Sequence, residues 1–212
     1  TSAGKRAVRI RRVHLEEDTG KLSHVHEKGQ EFTLVDLNRA GVPLLEIVTE
    51  PDLHSAEEVS AYARTLQRLL RAVGASHADM EKGEMRIEPN VSLRPAGTAA
   101  LGTRVEIKNL NSFRTLERAI SYQIRRQSEL LSQGGQVVQE TLGWDEAGQV
   151  TYPQRSKEEA HDYRYFNEPD LPPLVIAEAW IDEVRCELPE MPWEQAQRLQ
   201  RLLGLFKSDG MP

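Results

Sequence analysis

Nine polar side chains with complementary chemistry crowd two short stretches of this chain. Residues 83–94 read Gly-Glu-Met-Arg-Ile-Glu-Pro-Asn-Val-Ser-Leu-Arg, and residues 103–111 read Thr-Arg-Val-Glu-Ile-Lys-Asn-Leu-Asn. Both alternate with period two, the mark of strands with one face against a core. In the first, Met85, Ile87, Val91 and Leu93 share one side, and Glu84, Arg86, Glu88, Asn90, Ser92 and Arg94 the other. In the second, Val105 and Ile107 oppose Arg104, Glu106 and Lys108. Carboxylates can hold a divalent cation, while guanidinium and ammonium groups can meet phosphate oxygens. A solvated strand face would also be polar. Opposite charges across strands, however, contribute only about 0.2–1 kcal/mol per pair, a weak reason to gather so many. The pattern therefore reads as a ligand floor.

Other elements must position that floor. The small-residue loop 95–102 suits a hairpin that merges the two polar faces. Upstream, Val8 to Asp18 reads as a strand closed by the turn Glu17-Asp-Thr-Gly-Lys, Ser23 to Gly29 as a polar segment, and Phe32 to Leu37 as a second strand. His24 and His26, at i, i+2, could offer two imidazoles to a metal, although exposed loop histidines are the commoner meaning. A third, nearly continuous apolar strand runs from Pro43 to Thr49 and is interrupted by Glu46. A carboxylate among four aliphatic residues needs a partner. That partner is either a salt-bridging cation or a metal or phosphate-linked group.

Ser55-Ala-Glu-Glu58 is a capping box that opens a helix ending near Gly74. Its inward stripe is Val59, Ala63, Leu66, Leu70 and Val73. Arg64, Arg68 and Arg71 form a ridge along one side, either solvated or touching RNA phosphates. Asn111 or Ser112 caps a second long helix through about Leu131, with Leu116, Ile120, Ile124 and Leu131 inward and Gly134-Gly135 ending it. Val137 to Trp144 and Val150 to Tyr152 read as short strands around the turn 145–149. A dense charged and aromatic segment, 155–166, precedes the proline-broken Glu168-Pro-Asp-Leu-Pro-Pro173 and could wall a pocket or close the domain by packing. From Ala177 the composition shifts, and Ala177 to Leu188 and Pro192 to Leu203 read as two helices of a further, helical domain.

The totals narrow the function classes. At 212 residues with 39% hydrophobic and 28% charged content, the chain matches an ordinary globular protein with one sizeable core or two small ones. No apolar run approaches the ~20 residues that span a bilayer, and no signal peptide opens the sequence. The single cysteine, Cys186, rules out an internal disulfide framework or a cysteine-based zinc site and fits a reducing cytosol. A net charge of −6 confines any nucleic-acid contact to local patches. The sequence holds neither a phosphate loop, a dinucleotide fingerprint nor a Gly-x-Ser-x-Gly elbow. Nucleotide binding must therefore come from a sheet surface of carboxylates and cations, on which Mg²⁺ needs only one or two protein ligands. Both ends of the sequence break off without a closing signal, as expected of a fragment of a longer protein.

Four motifs then carry a resemblance. They are His14-Leu-Glu-Glu-Asp-Thr-Gly-Lys21, the run from Val35 to Asp52, Val105-Glu-Ile-Lys-Asn-Leu-Asn-Ser-Phe-Arg114, and Arg155 to Phe166. Together, and in this order, they closely resemble the B subunit of the aspartyl/glutamyl-tRNA amidotransferases over about Val8 to Leu203. The resemblance implies an α+β fold with a mostly antiparallel sheet and flanking helices. It makes 1–176 the later part of a cradle-type catalytic domain and 177–212 the start of a helical domain. It further implies a reaction in which Mg-ATP phosphorylates the side-chain carboxylate of Glu or Asp misacylated on tRNA. Ammonia released from glutamine by a partner amidase, in a complex completed by a small third subunit, then forms the amide. By the same resemblance Glu17, Glu46 and Glu106, with Glu88, are candidate Mg²⁺ ligands. Arg86 and Lys108 would hold phosphates, while Asn90, Ser92 and Arg155 would contact nucleotide or substrate. Strand parity alone leaves Glu16 and Glu17 equivalent as candidates. A family segment bearing an active-site histidine is expected to precede these residues. The sequence departs from the family's usual Arg-Cys-Asp-Ala-Asn at Arg86-Ile-Glu-Pro-Asn90. There Glu88 carries its carboxylate one methylene farther out, and Pro89 removes a ladder donor, which favours an edge strand or bulge. Phe166-Asn replaces a usual Phe-Pro, a mild change. A non-catalytic RNA-binding scaffold and a ligase acting on a free small acid stay open as rivals at this stage.

Overall fold

The computed structural model describes residues 6–156 and 173–204, with the side chains of residues 155 and 156 excepted. These residues fall into two compact units, one ending at His54 and one beginning at Ser55. No helix among the described residues is long and apolar enough to cross a membrane.

The first unit consists of two antiparallel ribbons. Strand β1 (Ile10–Glu17) pairs with β4 (Pro43–Thr49), and β2 (Lys21–Glu27) pairs with β3 (Gln30–Asp36). The polar segment 23–29 expected outside the strands is mostly strand. Lys28 and Gly29 close the hairpin with positive φ (53° and 78°), the two-residue turn whose twist matches its strands. No described residue of this unit is buried. Its outer ends are tied by bidentate arginine–carboxylate pairs, Arg9 with Asp52 and Arg11 with Glu50.

The second unit carries the core. Helix α1 (Ala56–Ala72) starts where the Ser55 hydroxyl accepts from the Glu58 amide, as the capping box requires. Helix α2 (Phe113–Ser132) is capped in the same way by Ser112, which accepts from the Thr115 amide at 3.0 Å. With them goes a four-stranded sheet of order β5 (Asn90–Val91), β6 (Val105–Lys108), β7 (Glu140–Asp145), β8 (Val150–Ser156). Pairs β5–β6 and β7–β8 are antiparallel, whereas β6 and β7 are parallel because α2 carries the chain back to the same end. Val105, Ile107, Leu142 and Trp144 are buried, and Ile107 and Trp144 pack with Leu116, Ala119 and Ile120. A satellite of Ala78, Met80 and Met85 packs under Leu66, Leu70 and Phe113.

Three further expectations need correction. The first central strand shrinks to Asn90–Val91, since only Ile107 donates back to it beyond the ladder, at the Pro89 carbonyl. Its alternation survives all the same: Met85 is buried, and Glu84, Arg86 and Glu88 are exposed. β5 is an edge strand, the place that Pro89 favours. Second, Leu131 and Val73 are exposed rather than inward, because each lies in the last turn of its helix or just past it. Third, the strands around the 145–149 turn start at Glu140 and continue to Ser156.

Helices α3 (Glu178–Glu187) and α4 (Pro192–Leu203) follow the expected bounds closely, with Pro192 in the first turn and Gly204 at φ 61° ending α4. Neither has a buried residue. The charged segment 157–166 and the prolines to 172 lie outside the described residues.

Candidate functional site

The sheet of the second unit turns Ile107 and Trp144 to the helices and its alternate residues to the opposite face. Register decides which residues reach that opposite face. Asn90 pairs with Glu106, and Glu106 with Thr141, so three strands contribute one row. A second row runs Lys108, Gly143, Tyr152. Directly paired positions place side chains on the same side of a sheet. Glu106 and Lys108, two apart on β6, therefore stand next to each other along the strand.

Two of the contacts on this face involve charged groups. Lys108 Nζ lies 3.3 Å from Glu88 Oε2, both groups half-exposed. The Thr141 hydroxyl donates to Glu106 Oε2 at 2.8 Å, and Thr141 itself is buried. Asn90 reaches back to the Glu88 carbonyl at 3.4 Å. Ser92 is half-buried just past β5, and Arg86 is exposed four residues before Asn90. Glu88, Asn90, Glu106 and Lys108 are thus brought together. The Arg155 backbone pairs opposite Thr141, but its side chain lies outside the described residues.

In the first unit, His14 pairs with Glu46, so these two share a face of the ribbon with Arg12 and Glu16. Arg12 donates to Glu46 Oε2 at 2.6 Å, which supplies the partner that a carboxylate in an aliphatic run requires. Glu17 pairs with Pro43 and projects from the opposite face. Register therefore separates the two glutamates that parity leaves equivalent: Glu16, not Glu17, shares the side of Glu46.

The donor set of the sheet floor suits a hard cation. Glu88, Glu106, Asn90 and Thr141 offer side-chain oxygens, the chemistry that Mg²⁺ prefers over nitrogen and sulfur ligands. No group of three or more His, Cys, Asp or Glu side chains that could hold a metal occurs among the described residues. An ion on this floor would be held by one or two carboxylates, completed by phosphate oxygens and water. The i, i+2 histidines are otherwise engaged: His24 meets the Thr33 hydroxyl at 2.9 Å, and His26 lies 3.5 Å from Glu31.

Two groups of residues go beyond the expected set. Thr141 is one, although its alternation with Leu142 marks it in the sequence. Gln123 and Gln127 are the other, fully buried on α2, where 116, 120, 123 and 127 continue one helical stripe. Gln127 Nε2 donates to the Val91 carbonyl at 3.1 Å and so ties the helix to the edge strand.

The arginine ridge of α1 is occupied by the chain itself. Arg64 stacks over the Phe113 ring at 4.7 Å, and Arg71 Nε donates to the His77 carbonyl at 2.6 Å.

An α+β sheet domain, helix-backed on one side and bearing carboxylates with a lysine on the other, is the class that fold and site define. Comparison with known proteins places it further. The family model described as the GatB/GatE catalytic domain matches residues 1–182, and the chain belongs to that family. It is 50% identical over 205 residues to the B subunit of an aspartyl/glutamyl-tRNA(Asn/Gln) amidotransferase from Caldicellulosiruptor saccharolyticus, covering 97% of this chain and 42% of that protein. It is 53% identical over 201 residues to the protein of the same name from Moorella thermoacetica, covering 95% and 42%. A Thermus thermophilus relative, again of that name, is 52% identical over 206 residues, covering 97% and 43%. The chain thus spans about two-fifths of the length of the curated relatives that it matches.

Proposed function

We propose that this chain forms part of the catalytic subunit of a tRNA-dependent amidotransferase that uses ATP and Mg²⁺ to phosphorylate the side-chain carboxylate of Glu or Asp misacylated on tRNA. The acyl phosphate then loses phosphate to ammonia delivered by a partner amidase, which assembles with a small third subunit in the cytoplasm. Residues 1–176 belong to the catalytic domain in this reading, and 177–212 open a helical one.

One observation carries the reading: the Lys108–Glu88 and Thr141–Glu106 pairs stand on the side of the sheet away from the residues that pack against its helices. Phosphoryl transfer asks the protein mainly for positioning and charge neutralisation. Lys108 and Arg86 meet phosphate oxygens, and Asn90 and Ser92 orient the acceptor. Thr141 fixes the Glu106 carboxylate through its hydroxyl, so that one oxygen stays turned to the floor. Glu106 and Glu88 are the residues of this floor to hold Mg²⁺. On the ribbon of the first unit, Glu46 with one of the pair Glu16 and Glu17 forms a separate candidate set, and register favours Glu16 as the companion of Glu46. The bound ion supplies neutralising charge on the phosphates.

The test uses the assembled amidotransferase, with ATP-dependent phosphate release and amide formation both measured. Glu106→Gln and Lys108→Met should each lower turnover roughly a hundredfold, the scale of losing one preorganised charge at a reacting group. Unchanged turnover in both variants removes the floor from the mechanism. Phosphate release with free glutamate, in the absence of tRNA, would instead assign the chain to a ligase for small acids.

A further inference from the structure

Tyr152 sits where no requirement of the core explains it. It belongs to β8, is 41% exposed, and turns its hydroxyl end over β7 instead of into the helices. Room for the ring exists only because position 143 is glycine: a Cβ there would collide with Tyr152 Cζ and lie 2.6 Å from its hydroxyl oxygen. The register explains the approach, since Gly143 is the cross-strand partner of both Lys108 and Tyr152. Past Gly143 the Tyr152 hydroxyl accepts a hydrogen bond from Asn109 Nδ2 at 3.3 Å.

Asn109 directly follows Lys108, the last residue of β6, and holds a left-handed φ of 64°. Asparagine tolerates that region better than most residues, but such a conformation persists only where its surroundings fix it. The bond to Tyr152 is one such fixture. A lysine side chain has a flexible four-carbon stem, so the direction from which its backbone launches it limits where the ammonium can rest. We propose that Tyr152, lodged over Gly143 and acting through Asn109, is a positioning residue that sets the Lys108 ammonium beside Glu88 for phosphate contact. This rests on the reading of the sheet face as a phosphate floor and adds Tyr152, Gly143 and Asn109 to it.

A double-mutant cycle in the assembled amidotransferase tests the proposal, with the KM for ATP, kcat and the melting temperature of the complex as readouts. Tyr152→Phe keeps the ring and loses the acceptor; Asn109→Gly keeps the backbone conformation and loses the donor. Each should raise the KM for ATP roughly three- to tenfold, the worth of one hydrogen bond, with any loss in kcat well short of that of Lys108→Met and the melting temperature unmoved. In a Lys108→Met background, adding Tyr152→Phe should raise the KM no further. Two results overturn the proposal: a KM unmoved by both single variants while Lys108→Met raises it, or an equal increment from Tyr152→Phe with and without Lys108. If Lys108→Met itself leaves the KM where it was, the phosphate floor fails first and the positioning role falls with it, a pattern distinct from the other two.

Discussion

The two units of this chain use the same kind of raw material and end in opposite states. In the second, Val105, Ile107, Leu116 and Leu142 are all but completely buried, because amphipathic helices cover one face of a four-stranded sheet. In the first, Val13, Leu15, Leu34, Val35 and Leu45 are each roughly half exposed or more, because among the described residues of this unit no helix or further strand lies over its two-stranded ribbons. Two-stranded antiparallel ribbons are marginal on their own. The comparison shows where order comes from in each: apolar burial in one, ladders with arginine–carboxylate clasps in the other.

Substitutions should separate the two regimes. Leu116→Ala should destabilise the second unit by about 3 kcal/mol, read from denaturant unfolding followed by the buried Trp144. Removing a cap is next in size: Ser112→Ala should cost about 1 kcal/mol in the same assay, since its hydroxyl serves the Thr115 amide and side chain. The clasps of the first unit should show themselves in acid. Hydrogen bonds from Arg9 hold the Asp52 carboxyl down to about 2, against an ordinary 3.8. A group with a depressed folded pKa stabilises above its unfolded value and loses that contribution as pH falls through the folded one. The protection factor of the Glu50 amide, which donates to the Arg9 carbonyl, should therefore fall between about pH 4 and 2 in the wild type, and Asp52→Asn should lower that protection already at neutral pH. Smallest of all, Leu15→Ala should change stability by no more than about 0.5 kcal/mol. A loss there as large as that of Leu116→Ala would end the contrast.

How much the sequence discloses follows the same division. Strand β4 and helix α4 fall on the expected residues because a continuous apolar run and a proline-to-glycine frame are local signals. The cap at Ser112 is local too. Strand β2 is hidden because Ser23, His24 and His26 lack the apolar alternation that only a covered face imposes. Alternation at 84–89 reports on which side each side chain lies but not on whether the backbone finds a ladder, so the strand there is shorter than its pattern. The parallel β6–β7 pair is a long-range event created by α2, and no residue in either strand announces it. The floor residues Glu88, Asn90, Glu106 and Lys108 are legible from parity, whereas Thr141 and Tyr152 join through a pairing that sequence spacing cannot state.

The four-residue length of β6 has a consequence for how the chain can change. Val105 and Ile107 seal the interior while Glu106 and Lys108 arm the exterior, so the strand tolerates no odd-numbered slip. Deleting one residue inside it would drive an acid and an amine into the apolar layer and strand two aliphatic side chains among the ionic ones. Insertions or losses in this neighbourhood must therefore be absorbed by the 95–102 connection, whose mostly exposed residues carry no such alternating duty.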